Sequence, residues 1–354
     1  MKNHIVLECI KADSTSGWDM ADALSLVSIP LVAVGFVVLN QGAKFITDNV
    51  VAVSRRFGIS RFVLGMLVVS TLAAMPEVLV SIFALEEGAR GIALGNGLAA
   101  NVVTIAFVIG LTAVIVPLKV TREIVMRDAV FLMTVTIVAS VLLLDGDLTY
   151  FDGIVLMILF IPYTMNLLLV KRIADPKELE LTLEDATIQL EYMGQIFGRK
   201  LEIRAGVQWL IFGVLWTVMG AELAVRSILQ ITGDFGLDEW LIGISVVAIG
   251  TSLPDIAASY HAARRGLGDL ALGEGIGASI VTVLLTLGMM GILYPFEFTD
   301  IQMTEIIPII AVLNLSTFLV LAFMLRGMRI GQVGGIALMS TYFAMILTVV
   351  LLVM

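Results

Sequence analysis

Long apolar runs separated by short polar connections dominate this sequence. A transmembrane helix needs about 20 apolar residues, and we count ten runs of that length. The runs are continuous, which excludes a transmembrane β-barrel with strands of about ten alternating residues. The pattern therefore predicts an all-α polytopic membrane protein with ten transmembrane helices. The predicted segments are residues 25–54, 60–86, 90–117, 124–144, 150–171, 205–231, 238–263, 268–295, 302–326 and 330–354.

The overall composition agrees with a membrane location. Hydrophobic residues make up 59% of the 354 residues and charged residues only 14%, whereas soluble domains average about 45–50% apolar residues. The single cysteine, Cys9, excludes a disulfide within the chain.

The distribution of charge predicts the orientation of the helices. Lys and Arg concentrate in the first, third, fifth, seventh and ninth connections, while the others are poor in both and often acidic. Because cytoplasmic loops carry the excess of Lys and Arg, both termini are expected outside the cytoplasm. The sequence thus predicts a multi-pass protein of the cell membrane.

An internal repeat relates the two halves of the chain. A shift of 178 residues carries Pro76-Glu77 onto Pro254-Asp255 and Ala93-Leu94-Gly95 onto Ala271-Leu272-Gly273. The copies begin at helices one and six, an odd number of crossings apart, so the second enters the membrane from the opposite side. Two inverted five-helix repeats are typical of secondary transporters, although channels can also contain them.

This repeat divides the chain into three parts. The first half (1–173) holds helices one to five, the second half (205–354) holds helices six to ten, and an acidic linker (174–204) joins them on the cytoplasmic side. The linker lacks the Asp/Asn/Gly loop of a calcium site. We interpret it as a solvated helix, with regulatory cation binding or an amphipathic helix on the membrane surface as alternatives.

Two repeat-equivalent carboxylates are the strongest candidates for chemistry. Glu77 follows Pro76, and Asp255 follows Pro254, each within an apolar run. Charges inside a membrane are costly and usually functional. A proline also breaks the helix and leaves main-chain carbonyls free beside the acid. Two acids and free carbonyls indicate a cation site.

A glycine-rich segment follows each acid. Small residues at this density let backbones approach closely and let a helix open locally. Helical spacing places a polar face on each segment, which would complete the pocket around the acids. The two faces contain Gly97, Asn101 and Thr104 in the first half and Gly275, Ser279 and Thr282 in the second.

These motifs resemble the α-repeats of the sodium/calcium exchanger family, within the cation/calcium antiporter superfamily. The likeness covers about 42–117 and 220–295. Gly250 to Asp255 reads GTSLPD, similar to the family's G-T-S-L-P-E, whereas Leu72 to Glu77 reads LAAMPE and lacks both hydroxyls. The resemblance implies that helices one and six slide across a core of the other eight. The pairs Gly42-Ala43 and Gly220-Ala221 would allow sliding contact.

Several positions depart from the family pattern. Serines are replaced by alanine, Thr104 and Thr282 occupy positions of an Asn or Asp, and Glu274 occupies that of an Asn. Fewer sodium ions, or protons, then become credible coupling partners. An alternative role for Asn96 and Asn101 is to hold helices together. The candidate cation ligands are Glu77, Asp255, Thr104, Thr282, Thr251, Ser252, Glu274 and Asn101.

The sequence therefore predicts a secondary active antiporter that exchanges a divalent cation, calcium, for sodium or protons by alternating access. The alternatives are an antiporter for magnesium, manganese or a monovalent ion, and a passive cation channel. An enzyme is not expected, because the membrane segments contain no zinc pattern, nucleophile motif or phosphate loop. The expected partners are inorganic cations and the lipid bilayer, with no cofactor and no nucleic acid.

Overall fold

The computed structural model describes residues 20–57, 74–120, 122, 124–170, 207–264, 268–298 and 300–353. Helices dominate these ranges, as the apolar pattern predicts. The predicted linker at 174–204 lies outside them, and so does most of the second predicted segment, 60–86.

The described helices of the first half agree with their predicted bounds to within a few residues, except that the predicted start of the second segment lies outside the described residues. They are α1 (Met20–Phe57), α2 (Met75–Glu86), α3 (Arg90–Val102, continued by the π-helical turn Val103–Val108 and by Ile109–Ile115), α4 (the π-helical turn Ile124–Ala129 and Val130–Leu143) and α5 (Tyr150–Val170).

The second half contains a similar order of helices. They are α6 (Val207–Phe235), α7 (Glu239–Ile242, the π-helical turn Gly243–Val247 and Ala248–Thr251), α8 (Leu253–Arg264), α9 (Gly268–Thr282, the π-helical turn Val283–Leu287 and Gly288–Leu293), α10 (Asp300–Gly327) and α11 (Gln332–Val353).

Seven helices in the described ranges are long and apolar enough to cross a membrane. They lie in α1, α3, α4, α6, α9, α10 and α11. Two shorter apolar helices, Tyr150–Met165 and Glu239–Thr251, accompany them. The chain is thus a multi-pass membrane protein.

The seventh predicted segment, 238–263, is divided into α7 and α8 at Ser252. Pro254 causes the division, because it has no N–H to bond to the Gly250 carbonyl and its ring clashes with the preceding turn. A proline is well tolerated in the first turn of a helix, where its missing donor would be unpaired anyway. The break lies beside the acid, as the sequence predicts.

Helices α3 and α9 form the centre of the fold. Every residue from Gly91 to Val102 in α3 is buried, and so is every residue from Ser279 to Gly288 in α9. A Cβ on Gly97 would lie 3.3 Å from the Thr286 methyl, so the two helices meet closely. Polar residues of the glycine-rich segments are therefore held inside the protein.

Helices α1 and α6 pack against each other along an antiparallel seam of small residues. A Cβ on Gly35 would lie 2.7 Å from the backbone of Ala224, and one on Gly213 would lie 2.9 Å from the backbone of Ile46. Residue numbers rise along one helix as they fall along the other, so the helices run in opposite directions. Between these points, Gly42 meets Thr217 and Gly220 meets Leu39. Gly42 and Gly220 thus lie where α1 and α6 contact each other, and sliding of these helices across the other eight stays a prediction.

Four two-residue strands, absent from the all-α prediction, connect the halves. Their bounds are β1 (Leu118–Lys119), β2 (Asp147–Leu148), β3 (Phe296–Glu297) and β4 (Arg329–Ile330). β1 pairs antiparallel with β4, and β2 with β3. β1 and β3 are separated by 178 residues, the same shift that relates the sequence repeats. Strands this short show no periodicity that a sequence pattern could reveal.

Candidate functional site

Each carboxylate lies in the first turn of a helix that a proline begins. Glu77 follows Pro76 at the start of α2, and Asp255 follows Pro254 at the start of α8. The positive end of the helix dipole stabilises a negative charge at this position. Glu77 is only 4% exposed, while Asp255 is partly buried. The structure thus places both predicted acids at equivalent helix ends.

The two acids are also electrostatic neighbours. The charge of Asp255 acts on the carboxyl group of Glu77. Within the described ranges, Glu77 Oε2 is buried without a hydrogen-bond partner. Two like charges in a low-dielectric interior disfavour each other, and a cation or a proton between them relieves the repulsion. The tertiary structure therefore joins residues that are 178 positions apart in sequence.

Asn96 connects the helix start at Pro76 to the helix break at Pro254. Its side chain is fully buried. The amide Nδ2 donates to the main-chain carbonyl of Glu77 at 3.0 Å and to Ser81 Oγ at 2.9 Å. The Thr251 hydroxyl donates to Asn96 Oδ1 at 3.1 Å. The interpretation that Asn96 holds helices together is thus supported by bonds to both halves of the chain.

The hydroxyls before Asp255 lie in the same network. Thr251 and Ser252 are buried. The Thr251 hydroxyl donates a hydrogen bond to Asn96, so the lone pairs of its oxygen remain available to a cation. Ser252 Oγ has no hydrogen-bond partner among the residues whose positions are described. In the first half, the buried side chain at the position equivalent to Ser252 is Ala74, which supplies no oxygen.

The glycine-rich helices contribute further buried oxygens. Asn101 donates to the Gly97 carbonyl at 2.9 Å within α3, and its Oδ1 is unpaired in the described part of the chain. Thr104 is buried, and its methyl lies 3.8 Å from the position that a Cβ on Gly275 would take. Thr282 is also buried.

Glu274 is partly buried in α9. Its role as a ligand stays a prediction, as do the roles of Thr104, Thr282 and Asn101.

Sequence reasoning missed Asn40. This residue of α1 is buried, and its Nδ2 lies 3.5 Å from the carbonyl oxygen of Gly250. Pro254 cannot donate a hydrogen bond to that carbonyl, because proline has no backbone N–H. The available signal was weak: one asparagine in an apolar run, two residues before Gly42.

Two further acids are buried in other parts of the fold. Asp128 accepts two hydrogen bonds of 2.7 Å from Arg127, so its charge is balanced locally. Glu305 in α10 is buried, and the charge of Asp238 acts on it. Neither contacts the proline breaks through any hydrogen bond found in the described ranges.

The side chains available as ligands determine which ions the site could bind. The described residues contain no group of three or more His, Cys, Asp or Glu side chains that could hold a metal ion. A cation between Glu77 and Asp255 must therefore draw on hydroxyls, amides and main-chain carbonyls. Oxygen-only coordination of this kind suits hard cations such as calcium.

Comparison with known protein families finds one that matches most of the chain. The family described as sodium/calcium exchanger protein matches residues 27–169 and 205–351, which cover both halves. The chain belongs to the sodium/calcium exchanger family. The resemblance carried by the two proline–carboxylate motifs is thus confirmed, and this family consists of transporters rather than enzymes.

Individual proteins named as antiporters or exchangers resemble the chain over most of its length. It is 32% identical to the putative antiporter CaxA of Alkalimonas amylolytica over 270 residues, covering 76% of this chain and 82% of that protein. It is 24% identical to the sodium/calcium exchanger MaX1 of Methanosarcina acetivorans over 343 residues, covering 90% and 97%.

A solved structure of the exchanger family has a similar fold. The sodium-calcium exchanger NCX_Mj superposes with a TM-score of 0.59 at 27% identity. The match covers 91% of this chain and 99% of NCX_Mj.

Proposed function

We propose that this exchanger-family protein is a secondary active antiporter that moves calcium across the membrane in exchange for sodium or protons. One observation carries the proposal: Asn96 bonds both the Glu77 carbonyl and Thr251, so the helix starts that bear Glu77 and Asp255 lie beside one another. The two negative charges of these acids match one divalent cation. An empty site with both acids ionised would be costly to enclose in the membrane, so bound ions would favour the crossing states.

Neutral oxygens would complete the coordination. Calcium takes about six to eight oxygen ligands. Ser252 Oγ and Asn101 Oδ1 are buried and lack partners in the described ranges. The oxygen of Thr251 can coordinate a cation while its proton bonds to Asn96. Thr104, Thr282 and Glu274 are the remaining proposed ligands, and water would make up the number.

The proposed architecture is ten transmembrane helices in two inverted five-helix repeats. The halves 1–173 and 205–354 are joined by a cytoplasmic linker at 174–204, with both termini outside the cytoplasm. The antiparallel seam of α1 and α6 supports inversion, because these helices begin the two repeats. Movement of α1 and α6 across the other helices would expose the site to each side in turn.

The names of relatives agree with exchange as the reaction. CaxA is named a putative antiporter and MaX1 a sodium/calcium exchanger. Structures of NCX_Mj were determined after soaks with sodium, calcium or strontium. Alanine at 74 and 100 removes hydroxyl groups from the buried region, which favours fewer sodium ions, or protons, as the coupling ions in this protein.

A flux assay tests the proposal. The purified protein is reconstituted into liposomes, and calcium uptake is measured with an outward sodium gradient or an outward proton gradient, each imposed alone. We expect one gradient to drive calcium uptake above its equilibrium level, and protein-free liposomes to show none. Calcium movement that never exceeds equilibrium would indicate a channel. Uptake of magnesium or manganese instead of calcium would assign another substrate.

A further inference from the structure

The carbonyl group of Gly250 is a free acceptor at the second proline break. In an uninterrupted helix it would receive the N–H of residue 254, but that residue is proline. Asn40 of α1 takes this place, with its Nδ2 3.5 Å from the carbonyl oxygen. At this distance the contact is a long hydrogen bond, which partly replaces the bond that the helix itself cannot make.

Packing fixes Asn40 in this position. Phe36 lies one turn earlier on the same face of α1, and its ring would be 2.5 Å from a Cβ on Gly250. Only glycine lets the ring approach so closely. Because Phe36 and Asn40 both meet Gly250, the face of α1 is pressed against α7 at this point.

The amide oxygen of Asn40, Oδ1, lacks a hydrogen-bond partner in the described part of the chain. The residue is 7% exposed, and its Oδ1 is buried without a hydrogen-bond partner among the described residues. Rotation of the amide would place this oxygen against the Gly250 oxygen, where two acceptors repel each other. The contact with Gly250 therefore orients Nδ2 toward the carbonyl and leaves Oδ1 for another partner.

The unpaired oxygen belongs to a connected set of site residues. Asn40 bonds Gly250, whose neighbour Thr251 bonds Asn96, and Asn96 bonds the Glu77 carbonyl. Several buried side-chain atoms of these residues and of other candidate ligands have no hydrogen-bond partner in the described ranges. They are Asn40 Oδ1, Glu77 Oε2, Asn101 Oδ1 and Ser252 Oγ. All four are oxygens, which is the type of ligand atom that a hard cation requires.

We propose that Asn40 is a cation ligand of this site, with Nδ2 held against Gly250 and Oδ1 binding the ion. The proposal rests on the cation exchange inferred above. The position equivalent to Asn40 in the second repeat is Val218, which has no oxygen. Only α1 would contribute a ligand of this kind, so a bound cation would hold α1, rather than α6, against the proline break.

Calcium-induced stabilisation of the detergent-solubilised protein tests the proposal without a transport assay. Asn40→Leu removes both the donor and the oxygen at nearly constant volume, while Asn40→Asp keeps an oxygen and loses the donor. We expect the calcium concentration for half-maximal stabilisation to rise about tenfold or more in Asn40→Leu. In Asn40→Asp a carboxylate oxygen remains available to the ion although the anchor on Gly250 is lost, so the rise should be clearly smaller than in Asn40→Leu. Asn40→Ala gives the same comparison if the leucine variant does not fold.

Asn314 provides a matched control. Its amide bonds Ser140 Oγ and the Ile310 carbonyl, and its Oδ1 is likewise unpartnered in the described chain. Asn314→Leu should change the melting temperature but leave the calcium dependence unchanged. An unaltered calcium dependence in Asn40→Leu, or equal weakening in Asn40→Asp, would overturn the proposal. A wild-type protein without any calcium response would refute the proposed substrate and this inference together.

Discussion

At the residue scale, the order proline–carboxylate produces the central feature of the protein. The proline starts a helix, so the acid after it falls in the first turn, where the helix dipole favours its charge. Burial opposes that charge, and the effective cost of an unpaired buried ion is several kcal/mol. Glu77 faces this cost in full, and the partly buried Asp255 faces part of it. Under the proposed function, occupation by a cation would remove most of this cost and would couple the ionisation of the site to ion binding.

Neutralising one acid should therefore impair transport without lowering the stability of the protein. We expect Glu77→Gln, or Asp255→Asn, to lower calcium exchange by at least about 100-fold, because one charge cannot balance a divalent ion. The cation-free protein should unfold at an equal or higher temperature, since the repulsion is gone. Liposome flux and thermal unfolding measure the two effects.

Glu86 is the control for this substitution. It lies on the same helix as Glu77 and is exposed, so Glu86→Gln should retain normal exchange. Unimpaired calcium flux in Glu77→Gln would rule out the assigned site.

At the scale of elements, close contact between α1 and α6 depends on glycines, which have no side chain at the points of contact. Gly42 meets the backbone of Thr217, and Gly220 meets that of Leu39. Lipid tails supply no hydrophobic force between helices in a membrane, so association depends on such close packing. The close seam would hold α1 and α6 together as a pair during the proposed movement across the other helices.

Adding a side chain to this seam should force the helices apart. Gly220→Val is expected to destabilise the protein by about 1–3 kcal/mol, the typical cost of overpacking, and to lower the exchange rate. Gly233 lies on the same helix, and a Cβ added there would meet no atom of the described residues within 4 Å. Gly233→Ala should be neutral or stabilising by up to about 1 kcal/mol. Thermal unfolding of the two variants makes the comparison. Equal stability of Gly220→Val and wild type would contradict the close seam.

At the scale of the whole molecule, strand pairing joins the two halves in a reciprocal manner. β1 of the first half pairs with β4 of the second, while β3 of the second half pairs with β2 of the first. Because β1 and β3 are repeat equivalents, the two ladders correspond to each other. Inversion of the repeats would place these ladders on opposite sides of the membrane.

Labelling of introduced cysteines tests this topology. Cys9 is the only cysteine, so Cys9→Ser gives a cysteine-free background. Lys119 in β1 and Glu297 in β3 are paired in register with Arg329 and Asp147, and both are exposed. With an impermeant maleimide, we expect Glu297→Cys to react in intact cells and Lys119→Cys to react only after permeabilisation. Reaction of both from the same side would refute the inverted arrangement.

The sequence alone determined the features that depend on local pattern. Continuous apolar runs predicted α10 and α11 to within a few residues, because length and hydropathy decide whether a helix can cross a membrane. The 178-residue shift and the motifs at Pro76-Glu77 and Pro254-Asp255 identified the repeat, the helix breaks and the two acids. The same motifs were sufficient to recognise the family.

Only the tertiary structure decided which neutral groups surround those acids. Asn40 and Gly250 are 210 residues apart, and Asn96 and Thr251 are 155 apart. Nothing in the local sequence around an amide indicates which distant carbonyl or hydroxyl it will meet, since that depends on how helices cross. The sequence specified the charges of the site, whereas the packing of α1, α3 and α7 specified the partners of its uncharged oxygens.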